Sequence, residues 1–173
     1  SIKRIIKKIN QDKMKKIIVI LTSLKDEDYL VHFLNRCDLS NYQIVLSAHP
    51  AFFDSTETYF KKNFKFDFIT LKKYHSREIM DAADLIISGY ASLAYEAFFQ
   101  GLNIVRIEDY FRPNWTDKKD FIPILKNPAN FQKYLAKQNK ISTSLMSKIE
   151  KKYFYKFDQK THERFCKIMN NFK

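Results

Sequence analysis

Short runs of consecutive apolar residues alternate along the chain with stretches in which apolar residues recur at helical spacing. The run Ile17-Ile18-Val19-Ile20-Leu21 is continuously apolar and mostly β-branched, which is typical of a strand covered on both faces of a sheet. Runs of the same character predict four further strands, at 44–46, 68–71, 85–87 and 104–107. The sequence therefore predicts five strands that are buried on both sides.

Amphipathic stretches follow each of the first four strands and predict helices. Ser23 can cap the first of these helices, with Asp26 at its third position and Tyr29, Leu30, Phe33 and Leu34 at helical spacing. Later helices open at Asp54, Ser76 and Ser92, and Gly101 ends the last of the four. Strands and helices that alternate in this way predict an α/β fold, a Rossmann-like doubly wound parallel sheet with right-handed crossovers.

Three regions are predicted along the chain. A basic N-terminal segment covers 1–14, the Rossmann-like domain covers 15–139, and a helical tail rich in basic and aromatic residues covers 140–173. Within the domain, 110–115 reads as a loop and about 130–138 as a helix. The first segment has no apolar core of the signal-peptide type, and no apolar run reaches the roughly 20 residues that span a bilayer.

Composition narrows the class of protein. The chain has 173 residues, of which 45% are hydrophobic, so it can bury a core and is not a disordered tail. Its two cysteines, Cys37 and Cys166, are far apart and are predicted to be buried free thiols, which favours a reducing cytoplasm. With two glycines in all, the chain cannot build the glycine-rich loop that binds pyrophosphate in dehydrogenases.

The net charge of +12 is compatible with several partners. Lysines are scattered along the whole chain, so the charge can reflect solvated faces, a phosphate-rich ligand or an anionic membrane surface. We do not expect specific binding of nucleic acid. An anionic surface would place the protein at the inner face of a membrane, as a peripheral cytoplasmic protein.

Polar residues follow the predicted strands at the edge where an open parallel sheet binds its ligands. No group of histidines, cysteines and acidic residues has metal-site spacing, and no nucleophile motif occurs, so we expect neither a metal nor a cofactor. The candidate nucleotide-binding residues are Ser23, His49, Pro50, His75, Ser88, Gly89, Tyr90, Ser92 and Glu96.

The segment from Ser88 to Ser92 carries a strand through a glycine-containing turn into a helix. Free N–H groups at a helix N-terminus bind anions, and the Ser92 hydroxyl could donate to the same phosphate. Glu96, one turn on, could accept from a ribose hydroxyl. The alternative is that the serines cap the helix and Glu96 is a surface residue. His49, held extended before Pro50, could contact a phosphate or a base, or could be structural, and the same choice applies to His75.

Three segments together resemble a known family. They are a strand that ends in His49-Pro50, the stretch Ala-Ala-Asp-Leu-Ile-Ile-Ser-Gly-Tyr-Ala-Ser-Leu-Ala-Tyr-Glu-Ala, and the following Gly-Leu-Asn-Ile-Val. In this order they resemble the C-terminal half of GT-B glycosyltransferases. The closest resemblance is to capsule and lipooligosaccharide sialyltransferases with HP and SS motifs, and to CDP-glycerol glycerophosphotransferases. It covers about 15–108.

The resemblance implies a function and assigns roles. His49 and Pro50 match the HP motif and would contact the nucleotide, and Ser92 matches the second serine of the SS motif, whose first serine is Ala91 here. Glu96 falls where the family places a ribose-binding carboxylate. The chain would hold a CMP- or CDP-linked sugar for transfer to a glycan acceptor, with the catalytic base on an N-terminal half outside this chain. The alternatives are a CDP-alditol phosphotransferase, a sugar-nucleotide epimerase and a non-catalytic binding module.

The charge interpretation predicts how the chain responds to nucleic acid. RNA or DNA should bind weakly, without sequence preference, and binding should fade steeply between low and physiological salt because it rests on counterion release. Filter binding of several unrelated oligonucleotides over a salt series measures this. Tight, sequence-selective RNA binding at physiological salt would contradict the prediction.

Overall fold

A computed structural model describes residues 2–9, 15–23, 26–107 and 122–137. The predicted loop at 110–115, the predicted tail at 140–173 and Cys166 lie outside the described residues. The helices are α1 (Ile2–Ile9), α2 (Glu27–Leu34), α3 (Phe53–Asn63), α4 (Ser76–Met80), α5 (Leu93–Phe99) and α6 (Pro128–Lys137), with one 3-10 turn at Pro50–Phe52. The strands are β1 (Lys16–Leu21), β2 (Tyr42–Ser47), β3 (Phe68–Thr70), β4 (Leu85–Ser88), β5 (Ile104–Ile107) and β6 (Ile124–Leu125).

The six strands form one parallel sheet in the order β3-β2-β1-β4-β5-β6. Every neighbouring pair is parallel, and the register places Ile18 opposite both Ile44 and Leu85. The predicted doubly wound, Rossmann-like α/β fold is therefore confirmed. The order reverses between β1 and β4, because the chain moves outward to β3 and then returns to the other side of β1. β6 was not predicted, since two apolar residues are too short a run to signal a strand.

The core lies on both faces of the sheet. Each residue from Ile17 to Leu21 is at most 1% exposed, which is why this strand reads as continuously apolar. The helices supply Leu30, Phe60, Phe98 and Phe131, all fully buried. Burial of one such side chain contributes about 1.5–3 kcal/mol, so the apolar residues of strands and helices together drive the formation of this architecture.

The basic N-terminal segment contributes to the core. Ile2 and Ile6 lie four residues apart on one face of α1, both are buried, and α1 packs against α4. The sequence interpretation treated 1–14 as a charged segment and assigned no helix to it. The spacing of its isoleucines was the signal that would have predicted α1.

The start of α2 differs from its prediction. The helix begins at Glu27 with Asp26 as its N-cap residue, so Ser23 does not cap it. The Ser23 N–H and hydroxyl both donate to the Asp26 carboxylate, at 2.9 Å each, and this closes a turn before the helix. The sequence thus indicated the Ser23–Asp26 pair, but it predicted that the helix begins about one turn earlier than it does.

Cys37 is a buried free thiol, as predicted. Burial raises the pKa of this thiol to about 11, because the charged thiolate is disfavoured away from water. Cys37 therefore stays protonated and unreactive at neutral pH.

No helix in the described ranges is long and apolar enough to cross a membrane.

Gly101 ends α5 in a left-handed conformation, with φ at +74°. Its N–H donates to the Phe98 carbonyl at 2.9 Å, and the N–H of Leu102 donates to the Ala97 carbonyl at 3.0 Å. This pair of bonds is a Schellman motif, in which glycine avoids the steric cost that a Cβ would introduce. The predicted role of Gly101 as the helix terminator is confirmed.

Gly101→Ala should therefore lower the free energy of unfolding by about 1–2 kcal/mol, the cost of a left-handed residue with a Cβ. A Cβ at this position meets no atom within 4 Å, so the effect would come from backbone strain alone. Gly101→Asn is the control and should cost less, because asparagine tolerates this conformation. Urea unfolding followed by circular dichroism measures both, and an unchanged midpoint for Gly101→Ala would contradict the prediction.

Candidate functional site

A cleft of about 1060 Å³ opens at the carboxyl edge of the sheet. It lies around the ends of β1, β2 and β4, beside the reversal of strand order, where the connections from neighbouring strands run in opposite directions and leave a crevice. Its volume is at the upper end for small-molecule sites. The residues that line this cleft are 21–23, 46–50, 52–53, 71–79 and 90–93.

The cleft brings together six of the nine predicted site residues: Ser23, His49, Pro50, His75, Tyr90 and Ser92. The other three, Ser88, Gly89 and Glu96, are not among the residues that line it. Ser88 is fully buried in β4. His49 follows β2 and Ser92 follows β4, so two strands that are not adjacent deliver these side chains to one space.

A buried carboxylate joins the two loops at the reversal point. Asp26 is 0% exposed, and it accepts from the Ser23 N–H and hydroxyl and from the Tyr90 N–H, the last at 3.2 Å. These bonds connect the exit of β1 to the exit of β4. Burial raises the pKa of Asp26, and this effect outweighs the opposing effect of its hydrogen bonds. The sequence interpretation missed this residue because it treated Asp26 as a helix position.

Position 89 needs a glycine because Asp26 and Tyr29 leave no room for a Cβ atom there. A Cβ at Gly89 would overlap the Tyr29 hydroxyl and would lie 2.6 Å from the Asp26 Oδ2 atom. The sequence interpretation assigned Gly89 to close approach between the backbone and a phosphate. In the structure the close approach is between the backbone and α2, and the part of this loop that faces the cleft begins at Tyr90.

Arg106 supports the same loop from the sheet. It is a charged residue in β5 that is 6% exposed, and its Nε donates to the Gly89 carbonyl at 3.0 Å. Its Nη1 donates to the Tyr95 hydroxyl at 3.1 Å, and the guanidinium lies 5.5 Å and 5.8 Å from the ring centres of Tyr90 and Tyr95. Arginine suits this position because its flat group can stack on rings while it donates in the plane. A charge within an apolar strand was the sequence signal for such a role.

His49 holds the turn that follows β2. Its Nδ1 accepts from the Ala51 N–H at 3.2 Å, and Pro50 occupies the first position of the 3-10 turn. Because Nδ1 is the acceptor, the neutral ring carries its proton on Nε2. His49 is exposed and therefore offers an N–H donor to a ligand in the cleft.

Ser92 is the N-cap residue of α5, but its side chain makes no capping hydrogen bond. It is exposed to the cleft, so the reading in which Ser92 caps the helix is not what the structure shows. α5 has seven residues, about two turns, so the hydroxyl rather than the helix dipole is the stronger feature at this position.

Thr22 provides a second hydroxyl at the floor of the cleft. It is 4% exposed, and its Oγ1 has no hydrogen-bond partner within the described residues. A buried hydroxyl left unpaired costs roughly 1–3 kcal/mol, so a ligand or a water molecule is expected to satisfy it.

Cationic side chains lie on the β3–α4 side of the cleft. Lys72, Lys73 and Arg77 line it together with one acidic residue, Glu78. The Glu78 carboxylate accepts from the His75 N–H at 3.1 Å, and this bond fixes the start of α4. The Ser47 hydroxyl donates to the Ser76 hydroxyl at 3.0 Å and ties α4 to the end of β2. Lys72 and Arg77 are each paired with an acidic side chain, Asp54 and Glu96, so Lys73 is the cation on this side that has no ion pair recorded among the described residues.

Glu96 is engaged by other protein side chains at the position where a ribose contact was predicted. Its Oε1 pairs with the Arg77 Nε at 2.5 Å and accepts from the Gln100 side chain at 3.3 Å. The ion pair connects α5 to α4 beside the cleft. Contact between Glu96 and a ribose remains a prediction, and it requires this carboxylate to change partners.

Neither a protein-family model nor a curated protein sequence matches the chain. Solved structures do. The wall teichoic acid polymerase TagF matches with a TM-score of 0.55 at 15% identity, over 98% of this chain and 46% of that one. A TagF variant soaked with CDPG matches with a TM-score of 0.52 at 19% identity, over 98% and 45% of the two chains.

A glycosyl transferase of family 9 from Veillonella parvula DSM 2008 also matches. Its TM-score is 0.51 at 13% identity, over 83% of this chain and 45% of that one. This chain therefore spans less than half the length of the solved proteins it matches. At these identities the likeness concerns the fold, and the fold is GT-B-like.

The environment of Asp26 predicts how stability depends on pH. Its folded-state pKa is raised, so the folded state holds this proton more tightly than the unfolded state does. The free energy of unfolding should therefore fall as the pH rises above about 3.9, the unfolded value, by at most about 1.4 kcal/mol per pH unit.

Asp26→Asn removes this titration while it keeps the shape of the side chain. The stability of the wild type minus that of the variant should decline as the pH rises from 4 towards 7, as measured by urea unfolding at several pH values. A difference that grows with pH would mean that the three hydrogen bonds dominate and lower the pKa.

Proposed function

We propose that this chain is the donor-binding domain of a GT-B glycosyltransferase that uses a CMP- or CDP-linked sugar in surface-polysaccharide synthesis. One observation carries the proposal: His49 and Ser92, delivered by two different strands, line one cleft at the reversal point of a GT-B-like sheet. Lys73, on the β3–α4 side of the cleft, adds a positive charge that suits a nucleotide phosphate.

Backbone N–H groups that already donate to Asp26 limit where a phosphate can bind in the cleft. In dinucleotide-binding folds the pyrophosphate sits on the first strand–helix turn. Here the Ser23 and Tyr90 N–H groups donate to Asp26, so an internal carboxylate occupies the centre of that region. We infer that the phosphate lies instead between His49 and Ser92, where a ring N–H and a hydroxyl are available to it.

The proposed reaction is a single displacement. An acceptor hydroxyl attacks the anomeric carbon of the donor sugar, the bond from that carbon to the phosphate oxygen breaks, and the nucleotide leaves with the electron pair. The acceptor proton passes to a base that we place on a second α/β half outside this chain. His49 and Ser92 donate to the phosphate as its negative charge grows, which stabilises the transition state more than the bound donor.

Phosphotransfer from a CDP-alditol is the second candidate. It is favoured by the match to TagF, a wall teichoic acid polymerase whose structure includes a variant soaked with CDPG. In that reaction the acceptor would attack phosphorus and CMP would leave. The same cleft would then bind the donor, but the bond that breaks would be the one from phosphorus to the CMP oxygen. Product analysis separates the two, because a CDP-linked donor yields CDP by sugar transfer and CMP by phosphotransfer.

The proposed setting is the cytoplasmic face of the membrane, where a glycan acceptor and the nucleotide-linked donor would meet. The scattered lysines would allow peripheral contact with anionic lipid. This setting rests on the charge and on the family resemblance.

Two variants test the phosphate site. Ser92→Ala and His49→Ala each remove one hydrogen bond to a charged group, and each should weaken binding of CMP or CDP by about 10–100-fold. The measurement is titration calorimetry of the full 173-residue chain.

The matched control is His32→Ala. His32 is an exposed histidine of α2 and does not line the cleft, so its loss should leave the affinity unchanged. Melting curves of all three variants check that they fold. If Ser92→Ala and His49→Ala bind as the wild type does, the site lies elsewhere.

A further inference from the structure

Phe52 is an exposed aromatic residue at the edge of the cleft. Phe52 is 39% exposed, whereas the other large hydrophobic residues that the structure describes are buried or half-buried. An apolar ring in water forgoes the stabilisation that burial would give it, roughly 25 cal/mol for each Å². Because this ring lines the cleft that also holds His49, a ligand in the cleft would cover it.

The backbone beneath Phe52 is fixed from several directions. Its N–H donates to the His49 carbonyl at 3.0 Å, and its own carbonyl accepts from the Ser55 hydroxyl at 2.9 Å. Pro50 and the bond from the Ala51 N–H to the His49 ring set the turn. A rigid support matters because a ring already held in place loses little conformational freedom when a ligand packs on it.

The neighbouring aromatic residue is engaged differently. Lys72 Nζ lies 5.1 Å from the ring centre of Phe53, and the same ammonium pairs with Asp54 at 2.6 Å. Phe52 contacts the His49 ring instead, with centroids 5.7 Å apart and planes tilted by 37°. The two rings are tilted rather than parallel, and Phe52 is partly exposed, so part of its ring remains open to a further planar group.

We infer that Phe52 is the platform on which the base of the bound nucleotide stacks, an inference that rests on the proposed function. His49, the proposed phosphate partner, is three residues away on the same turn. The base and the phosphate would therefore both bind to the 3-10 turn that follows β2. Stacking is available to every base because every base has a π face, so Phe52 supplies affinity for the base without choosing cytosine over uracil.

The test uses ligands with and without a base. Phe52→Ala should weaken CMP and UMP alike by about 5–100-fold, and the ratio of the two affinities should stay within twofold. Ribose 5-phosphate, which has no base, should bind wild type and variant equally. Calorimetry on the full chain measures each pair.

Two further substitutions separate stacking from general apolar contact. Phe52→Leu keeps an apolar side chain but no flat ring and should lose most of the affinity, whereas Phe52→Trp should retain it or bind more tightly. The control is Phe66→Ala, which removes a half-buried ring outside the cleft and should leave nucleotide binding unchanged.

The outcomes are distinguishable from failure of the proposed function. If the wild type binds none of CMP, CDP, UMP or UDP, the proposed function falls and this inference falls with it. If the wild type binds and Phe52→Ala binds equally well, the proposed function stands and the stacking platform is overturned. Equal loss of ribose 5-phosphate would also overturn it, since the ring would then act on a part of the ligand other than the base.

Discussion

The geometry of the cleft depends on one buried carboxylate. Strands β1 and β4 are neighbours in the sheet, but their connections leave in opposite directions, so nothing in the sheet ladder holds the loops at their ends together. Asp26 does so by accepting from Ser23 on one side and Tyr90 on the other. The cost of burying this group is visible in its raised pKa, and the three donors offset part of that cost. Gly89 then has no freedom to carry a side chain, because α2 already occupies the space.

Two further sets of contacts support the loops around the cleft. Arg106 reaches from β5 to the Gly89 carbonyl and stacks against two tyrosine rings, while the Ser47–Ser76 hydroxyl pair ties β2 to α4. A chain with two glycines cannot wrap a phosphate in a glycine-rich backbone loop, so the polar groups that this cleft presents come mainly from side chains at the strand ends.

The sequence predicted the fold better than it predicted the supports of the site. Strands such as Ile17–Leu21 could be predicted because burial on both faces leaves a continuous apolar run. The ends of those strands also predicted that His49 and Ser92 lie at the carboxyl edge of the sheet, where the structure has them. The contacts of Asp26 with Tyr90 and of Arg106 with Gly89 could not be assigned, because these partners are 64 and 17 residues apart along the chain and no local spacing records such contacts. Phe52 was missed for a related reason. A phenylalanine in an apolar-rich sequence signals a core position, and exposure becomes apparent only when the fold is complete.

The two edge strands of the described sheet are short. β3 has three residues and β6 has two, so each edge presents a short row of backbone groups to its surroundings. A long, flat, apolar edge would be a template for adding strands from other molecules, a serious hazard for a chain with 16 phenylalanines and 10 tyrosines. At β3, the Phe60 ring packs edge-on against the rings of Phe64 and Phe68, and Phe60 and Phe64 are buried. Within the described residues the central strands hold the longer ladders, so their backbone groups are already paired and are not open to the intermolecular pairing that leads to fibre-like aggregation.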